Sequence, residues 1–514
     1  MIKKGNISFS NIIFYILILF IILAGFYIRT KLYLLRAPFW LDEMMLGYSF
    51  TDYSFGDMLT KCLAAFQKAP PLFNIIVLFI RRLFGINELT LRFIPYLSGM
   101  LAILGFVILL KKNIKSKIGV VIGLLLFVFC VPLVYFCAEF KPYGFDVFIS
   151  ILLLLSYKYI NFSNITHKRA ICYAVCSVFL IFLSFPTIFL IPAIVSTKMI
   201  ENRKDINYKY LWFLVGILFA GLYLYLYDSG TYNYLKDYWG SVEKGFCSFP
   251  TLQFLWKYIY DSVRFYIYHF DTNYIWPLVA YLVGGFIIYC KEKSHIAKIL
   301  IFTMLFLLIA ASLQVYPFKP KLTLFLAPLF ILLIAKVFDF NYHIKSLKLK
   351  YIYSILLCMG LFVITGIKIP YINITEDDIV YYNKDLGGRN KTIDDRTAVK
   401  DISLKILENY EKDYKILASE EFEYSIKYYA YYTNSAKIPD ITSYGYKDIT
   451  SPIELAQEFI DVNKNLDMWF IGRENEQYFN CLNSDDIMKL IDAKNLHYEI
   501  YRKNDIYLIH ILKV

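Results

Sequence analysis

The chain has 514 residues, 58% of them hydrophobic and 19% aromatic, and a formal charge of +12. Soluble domains run at about 45–50% apolar, so a water-soluble globular fold is excluded for the chain as a whole. The Lys and Arg residues sit in short clusters between apolar runs rather than along a stripe, which excludes a nucleic-acid surface as the reason for the charge. The nine cysteines are scattered, with no ligand-like spacing, so neither a disulfide framework nor a zinc site is indicated.

An apolar helix of about 20 residues crosses a hydrocarbon layer of roughly 30 Å. By that measure spans are predicted near 11–29, 93–110, 118–136, 144–160, 170–184, 186–200, 210–228, 274–290, 297–315, 322–338 and 351–369. The first lacks a small-residue cleavage site and is read as a retained span. With the N-terminus in the cytoplasm, the segments Lys111 to Lys117, Lys158 to Arg169, Glu201 to Lys209, Lys291 to Lys298 and His343 to Lys350 fall inside, and all are basic.

The run Pro71 to Gly85 is short and ends in Arg81-Arg82, so it is placed along the outer interface as an amphipathic helix. Outer loops are expected at about 30–92 and 229–273. The chain divides into a transmembrane part, 1–369, and an extracytoplasmic α/β domain, 370–514. In that domain Val399, Ile402, Ile406, Leu407 and Tyr410 have helical spacing, as does Ile453 to Ile460. The short apolar runs from Lys415 and from Met468 read as strands, and the C-terminal stretch reads as a hairpin turning at Asn504-Asp505. The fold class is therefore an α-helical polytopic membrane protein with a small C-terminal extracytoplasmic α/β domain, located in the cell membrane.

The chemistry-bearing residues gather, by this topology, at the outer face. Asp42 and Glu43 follow the first span. Lys68 leads into Pro70-Pro71, Glu88 and Arg92 precede the second span, and Glu139, Lys141 and Tyr143 follow the third. Tyr316 to Lys321, with Lys319 and Lys321, precede the tenth. Each has a plain alternative: an acidic loop for Asp42-Glu43, interfacial anchoring for Arg92 and Lys141, a Glu139–Lys141 ion pair, flanking cations for Lys319 and Lys321. Charges at that depth are costly unless they meet water, one another or a ligand, and their convergence favours a site. A carboxylate beside several cations is equipped to take a proton from a hydroxyl while phosphate is neutralised. No nucleotide-binding glycine loop occurs. The aromatics of 229–271 suit either sugar stacking or an interface belt. His269 with Asp271 supplies too few ligands for a metal; no cofactor is assigned, and a divalent cation is left open.

In these features the sequence resembles the multispanning glycosyltransferases of GT-C type that use polyprenyl-phosphate sugars, including protein mannosyltransferases and aminoarabinose transferases. The resemblance rests on Asp42-Glu43, the Lys68/Pro70-Pro71 segment, Glu88 with Leu91-Arg92, Glu139 to Tyr143, and Tyr316 to Pro328, over about residues 10–370. It implies an inverting transfer from a polyprenyl-phosphate sugar to an extracytoplasmic protein, lipid or polysaccharide. Asp42 would be the base, with Glu43 orienting the acceptor or sharing that role. Lys68, Arg92, Lys141 and Lys319 or Lys321 would neutralise the donor phosphate, and Glu88, Glu139 and Tyr143 would bind acceptor or sugar. A transporter or flippase, or a scaffold for envelope polymer assembly, is the alternative; a transporter would carry polar groups near the bilayer midplane.

Overall fold

The computed structural model describes residues 9–160, 166–201, 211–227, 232–242, 245–246, 252–258, 275–344, 346–365, 393–409, 414–433, 439–444, 452–474 and 483–512. Each of the predicted spans carries a helix: α1 (Phe9–Leu34), α4 (Glu88–Asn113), α5 (Lys117–Val128), α6 (Tyr143–Ser156), α7 (His167–Leu183), α8 (Thr187–Glu201), α9 (Leu211–Tyr227), α10 (Ile275–Lys291), α11 (His295–Ser312), α12 (Ala327–Val337) and α13 (Leu347–Thr365). Between α1 and α4 lie α2 (Leu41–Asp52) and α3 (Pro71–Phe84). Three of the described helices are long and apolar enough to cross a membrane: Ser10–Leu34, Glu88–Asn113 and His295–Ser312. Their outward faces carry large apolar side chains, Ile16, Phe20, Leu23 and Tyr27 on α1 among them. That is a surface for lipid, not water.

The predicted span 118–136 is broken. Helix α5 stops at Val128, and a short turn, Val131–Tyr135, follows. The carbonyl of Val128 would bond the amide of residue 132, but Pro132 has none. Arg29 of α1 fills the gap, its Nη1 donating to that carbonyl at 3.1 Å and to Gly25 O at 3.3 Å. A sequence scan reads the apolar run and overlooks this arginine.

One end of the helix bundle is tied by charges from the segments predicted to be cytoplasmic. Asp339 accepts hydrogen bonds from the amides of Lys115 (2.9 Å) and Ser116 (2.7 Å), which start α5. The buried Lys336 lies between Asp339 (2.8 Å) and Glu292 (2.7 Å). Glu201 meets Lys298 at 3.3 Å and the Tyr157 hydroxyl. The described loops after α1 and before α6 meet at the other end of α4, around Arg92 and Glu43. Pro71 starts α3 without losing a needed amide, and Gly85, at φ +78, ends it. The cations of α3 meet neighbouring protein groups: Arg81 donates to the Thr51 carbonyl at 3.1 Å, and the exposed Arg82 lies 4.2 Å from the Phe55 ring centre.

The C-terminal elements are α14 (Ile393–Asn409), β1 (Lys415–Ser419), α15 (Glu420–Tyr432), β2 (Ile441–Tyr444), α16 (Pro452–Asn463), β3 (Met468–Arg473), α17 (Ser484–Ala493), β4 (Tyr498–Lys503) and β5 (Ile506–Ile511). They form a five-stranded sheet in the order β2-β1-β3-β5-β4. The first three strands are parallel, and β5 joins β3 antiparallel. The hairpin turns at Asn504, whose φ of 56° suits an Asn in a tight turn. Alternate residues face opposite ways. Leu417, Met468, Phe470, Ile509 and Ile511 pack with Ala456, Phe459 and Ile460 of α16 and Ile487 and Ile491 of α17. Ile416, Ala418, Trp469, Ile471 and Leu508 point the other way, toward Val399, Ile402, Phe422 and Ile426 of α14 and α15, and this core runs on without a break into the membrane helices. At the junction a Cβ on Gly47 of α2 would lie 3.3 Å from the Tyr428 ring of α15, so glycine there permits the close approach.

Candidate active site

Helix α2 begins where the chain leaves α1. Trp40 is its N-cap, in extended conformation with no side-chain cap, and the Glu43 carboxylate reaches back toward the Trp40 amide at 3.4 Å. Glu43 is fully buried. Its Oε1 accepts from Arg92 Nε (2.8 Å) and from the Phe140 amide (2.6 Å), and its Oε2 accepts from Arg92 Nη2 at 2.7 Å. A bidentate carboxylate–guanidinium fork of this kind fixes direction as well as distance. Arg92 spends its other donors on the carbonyls of Ala37 (2.5 Å) and Pro38 (3.5 Å), and stacks over Phe39 at 4.7 Å. The protein itself thus occupies Glu43 and Arg92, which together hold the turn from residue 37 to 43.

Asp42 is one residue earlier, about 100° round the helix, and only half-buried. It faces Lys141 and Tyr143, with which it interacts electrostatically. Lys141 is buried and donates to Gln67 Oε1 at 2.6 Å. Burial lowers its ammonium below the usual lysine range, against the pull first of Asp42 and then of Glu139; Lys321 adds to the lowering. Glu139 is buried with neither oxygen in a hydrogen bond. Burial and then the charge of Glu43 push its carboxyl up to about 7, with Lys141 opposing. No ion pair forms between Glu139 and Lys141 among the described contacts.

The structure brings other predicted residues to the same end. Tyr143, the first residue of α6, packs edge-on to Phe136 at 5.0 Å. Lys321 lies 5.1 Å from the Trp239 ring centre. Its neighbour Lys319 is in a segment held by the hydrogen bond from the Phe318 amide to the Gly245 carbonyl, 2.8 Å. Lys68 is half-buried just ahead of α3. Glu88, at the start of α4, is taken by Lys400 at 2.8 Å. His269 and Asp271 lie outside the described residues. Among the described residues no group of three His, Cys, Asp or Glu side chains could hold a metal ion.

No protein-family model matches the chain, and no curated protein does. Solved structures do. ArnT from Cupriavidus metallidurans in the apo state aligns over 96% of this chain and 97% of its own, at 11% identity and a TM-score of 0.55. The Archaeoglobus fulgidus oligosaccharyltransferase, solved with Zn and sulfate, aligns over 94% of this chain and 72% of its own, at 12% identity and a TM-score of 0.51. The chain shares the fold of these two structures. At such identities the likeness is one of fold.

Within this fold, two residues of the site come from beyond the membrane helices and escaped the sequence reading. Arg396 of α14 is buried, with Nη1 4.0 Å from Glu43 Oε2 and Nη2 3.4 Å from the Tyr135 hydroxyl. Lys400, one turn later, holds Glu88. The signal was available: Arg396 and Lys400 are spaced i, i+4 and flank Val399 and Ile402 on the apolar face of α14. Cations inside an apolar stripe expect carboxylates opposite. Gln67, the partner of Lys141, carried no signal.

Proposed function

We propose that the chain is an inverting glycosyltransferase that moves a sugar from a polyprenyl phosphate to a hydroxyl outside the cytoplasm. The observation that carries this reading is that Asp42, Lys141 and Lys321, from three distant parts of the chain, lie within electrostatic range of one another around the Lys141–Gln67 hydrogen bond. The Asp42 carboxylate takes the acceptor's hydroxyl proton as the oxygen attacks the anomeric carbon. The bond from that carbon to the phosphate oxygen breaks, and the phosphate leaves with the electron pair, neutralised by Lys141, Lys68 and Lys319 or Lys321. Glu139 and Tyr143 contact sugar or acceptor in this reading. Glu43 and Arg92 serve the reaction from behind, by holding the turn that carries Asp42, and Glu88 is paired with Lys400.

In this reading all eleven helices span the membrane, the N-terminus is cytoplasmic, and residues 370–514 form a unit on the outer side. The basic segments tied together by Asp339, Glu292 and Glu201 support that orientation. The bias toward Lys, Ile, Asn and Tyr suits an AT-rich bacterial genome, whose carrier would be undecaprenyl phosphate.

The test is mass spectrometry of surface glycans and polyprenyl-phosphate sugars in a deletion strain complemented with wild type or Asp42→Asn. One donor should accumulate and one glycan should lose a residue, with wild type alone restoring it. Restoration by Asp42→Asn would sink the mechanism.

A further inference from the structure

Glu43 and Asp42 are adjacent, and what fixes one aims the other. The Glu43 carboxylate is held from the α4 side by Arg92 and from the 139–142 loop by the Phe140 amide. On a third side stands Arg396, 353 residues further along the chain, its Nη1 4.0 Å from Oε2. Its Nη2 bridges to Tyr135 at 3.4 Å, and its Nε, like both oxygens of Glu139, has no hydrogen-bond partner. Glu139 senses the charges of both Glu43 and Arg396. A buried arginine with an unfilled donor, facing the buried carboxylate of Glu43 with that of Glu139 nearby, is a costly arrangement for a group that only holds the fold together. A well-packed apolar residue would stabilise the same junction at least as well.

We propose that Arg396 is a positioning residue for the transfer reaction: by facing Glu43 from the C-terminal unit, it sets the first turn of α2 and thereby the direction of the Asp42 carboxylate. The proposal rests on the reading of Asp42 as the base. Two neighbouring contacts carry the same unit onto α2. Tyr428 packs on Phe39 at 5.3 Å and against Gly47, and the Tyr431 hydroxyl bonds Asp52 at 2.5 Å. With α15 seated along α2, the remaining freedom is rotation of its first turn. Arg92 and Arg396, from different parts of the chain, both approach Glu43 in that turn. The C-terminal unit then belongs to the catalytic scaffold, whatever it does for the acceptor.

The experiment uses the full chain in the deletion strain and, purified in detergent, a binding assay with undecaprenyl phosphate as the probe. Arg396→Gln should bind undecaprenyl phosphate within about twofold of wild type yet restore the glycan at about a hundredth of the rate, the penalty of a misaimed catalytic group. Arg396→Lys, which keeps the charge, should recover about tenfold of that loss. Lys494→Ala, which breaks an ion pair with Asp461 on the far helices α16 and α17, should match wild type throughout. Wild-type transfer by Arg396→Gln overturns the proposal. So does a loss of binding, transfer and thermal stability together that Arg396→Lys does not relieve, since that marks a purely structural residue. If Asp42→Asn transfers as well as wild type in the same strain, the underlying reading fails instead, and the two failures are told apart.

Discussion

Lys400 Nζ lies 2.8 Å from Glu88 Oε1, so a helix near the end of the chain neutralises the first acidic residue of a membrane helix 312 positions before it. Lys400 also lies over the rings of Tyr429 and Tyr432, at 5.4 and 5.1 Å, which keeps its stem from reorienting. The pair is largely shielded from water, with the two side chains 22% and 7% exposed.

Breaking one partner leaves the other unpaired in that shielded place. Lys400→Met is therefore expected to destabilise the protein by about 2 kcal/mol. Adding Glu88→Gln removes the orphaned charge, and the double variant should lose less than the sum of the singles. Thermal unfolding in detergent reads the cycle; strict additivity would show that the pair does not interact.

Glu139 makes stability depend on pH with a definite sign. The folded protein keeps the Glu139 proton up to about 7, whereas the ordinary value is 4.5. Between those values the folded state binds more protons than the unfolded, so stability is greatest below the lower value and falls as pH rises through the higher one. Glu139→Gln should abolish that decline and at pH 8 be more stable than wild type by up to about 3 kcal/mol. Parallel pH slopes for the two proteins would contradict it.

At the opposite end, Asp339 and Lys115 both belong to the charge cluster but should behave differently. Asp339 is buried, caps α5 through two amides and pairs with buried Lys336. Asp339→Ala leaves the two amides unsatisfied and Lys336 with Glu292 as its remaining acid, and should cost about 2–4 kcal/mol. The Lys115 side chain is 63% exposed and meets Glu292 at 3.4 Å, so Lys115→Ala should cost less than about 1 kcal/mol. Comparable melting losses in the two variants would refute the distinction.

Lys141 separates donor from acceptor effects. Lys141→Gln keeps a polar group near Gln67 but removes the cation beside Asp42. Affinity for undecaprenyl phosphate should fall by about tenfold or more, a charge-assisted contact being lost. Unchanged affinity would move the phosphate elsewhere among the cations.

The helices were legible because each is a single apolar run whose length and flanks suffice, and the hairpin because Asn504-Asp505 announces its turn. The break after α5 was legible in principle at Pro132, but the compensating Arg29 was not, since its partner carbonyl is 99 residues away. At the site, the sequence supplied the residue types and a common face. It did not say which of Asp42 and Glu43 turns inward, because adjacent helical positions differ only by rotation, and rotation is decided by partners. The partner Arg92 was read as a phosphate ligand; its neighbours Ala37 and Pro38 offer carbonyls, which no residue-type pattern reveals. The C-terminal contribution was hidden for the same reason, a cation being informative only once its opposite carboxylate is known.

The distance along the chain between Arg92 and Arg396 also sets an order in time. As the polypeptide emerges from the ribosome, Glu43 and Arg92 can pair once the second long helix has inserted, whereas Arg396 arrives only after the last membrane helix has been made. Any nascent or truncated chain ending before residue 396 thus carries the acidic turn but not its third support. On the proposed function, such fragments would bind the lipid carrier but turn it over poorly, which would make completion of the chain a checkpoint on the proposed reaction.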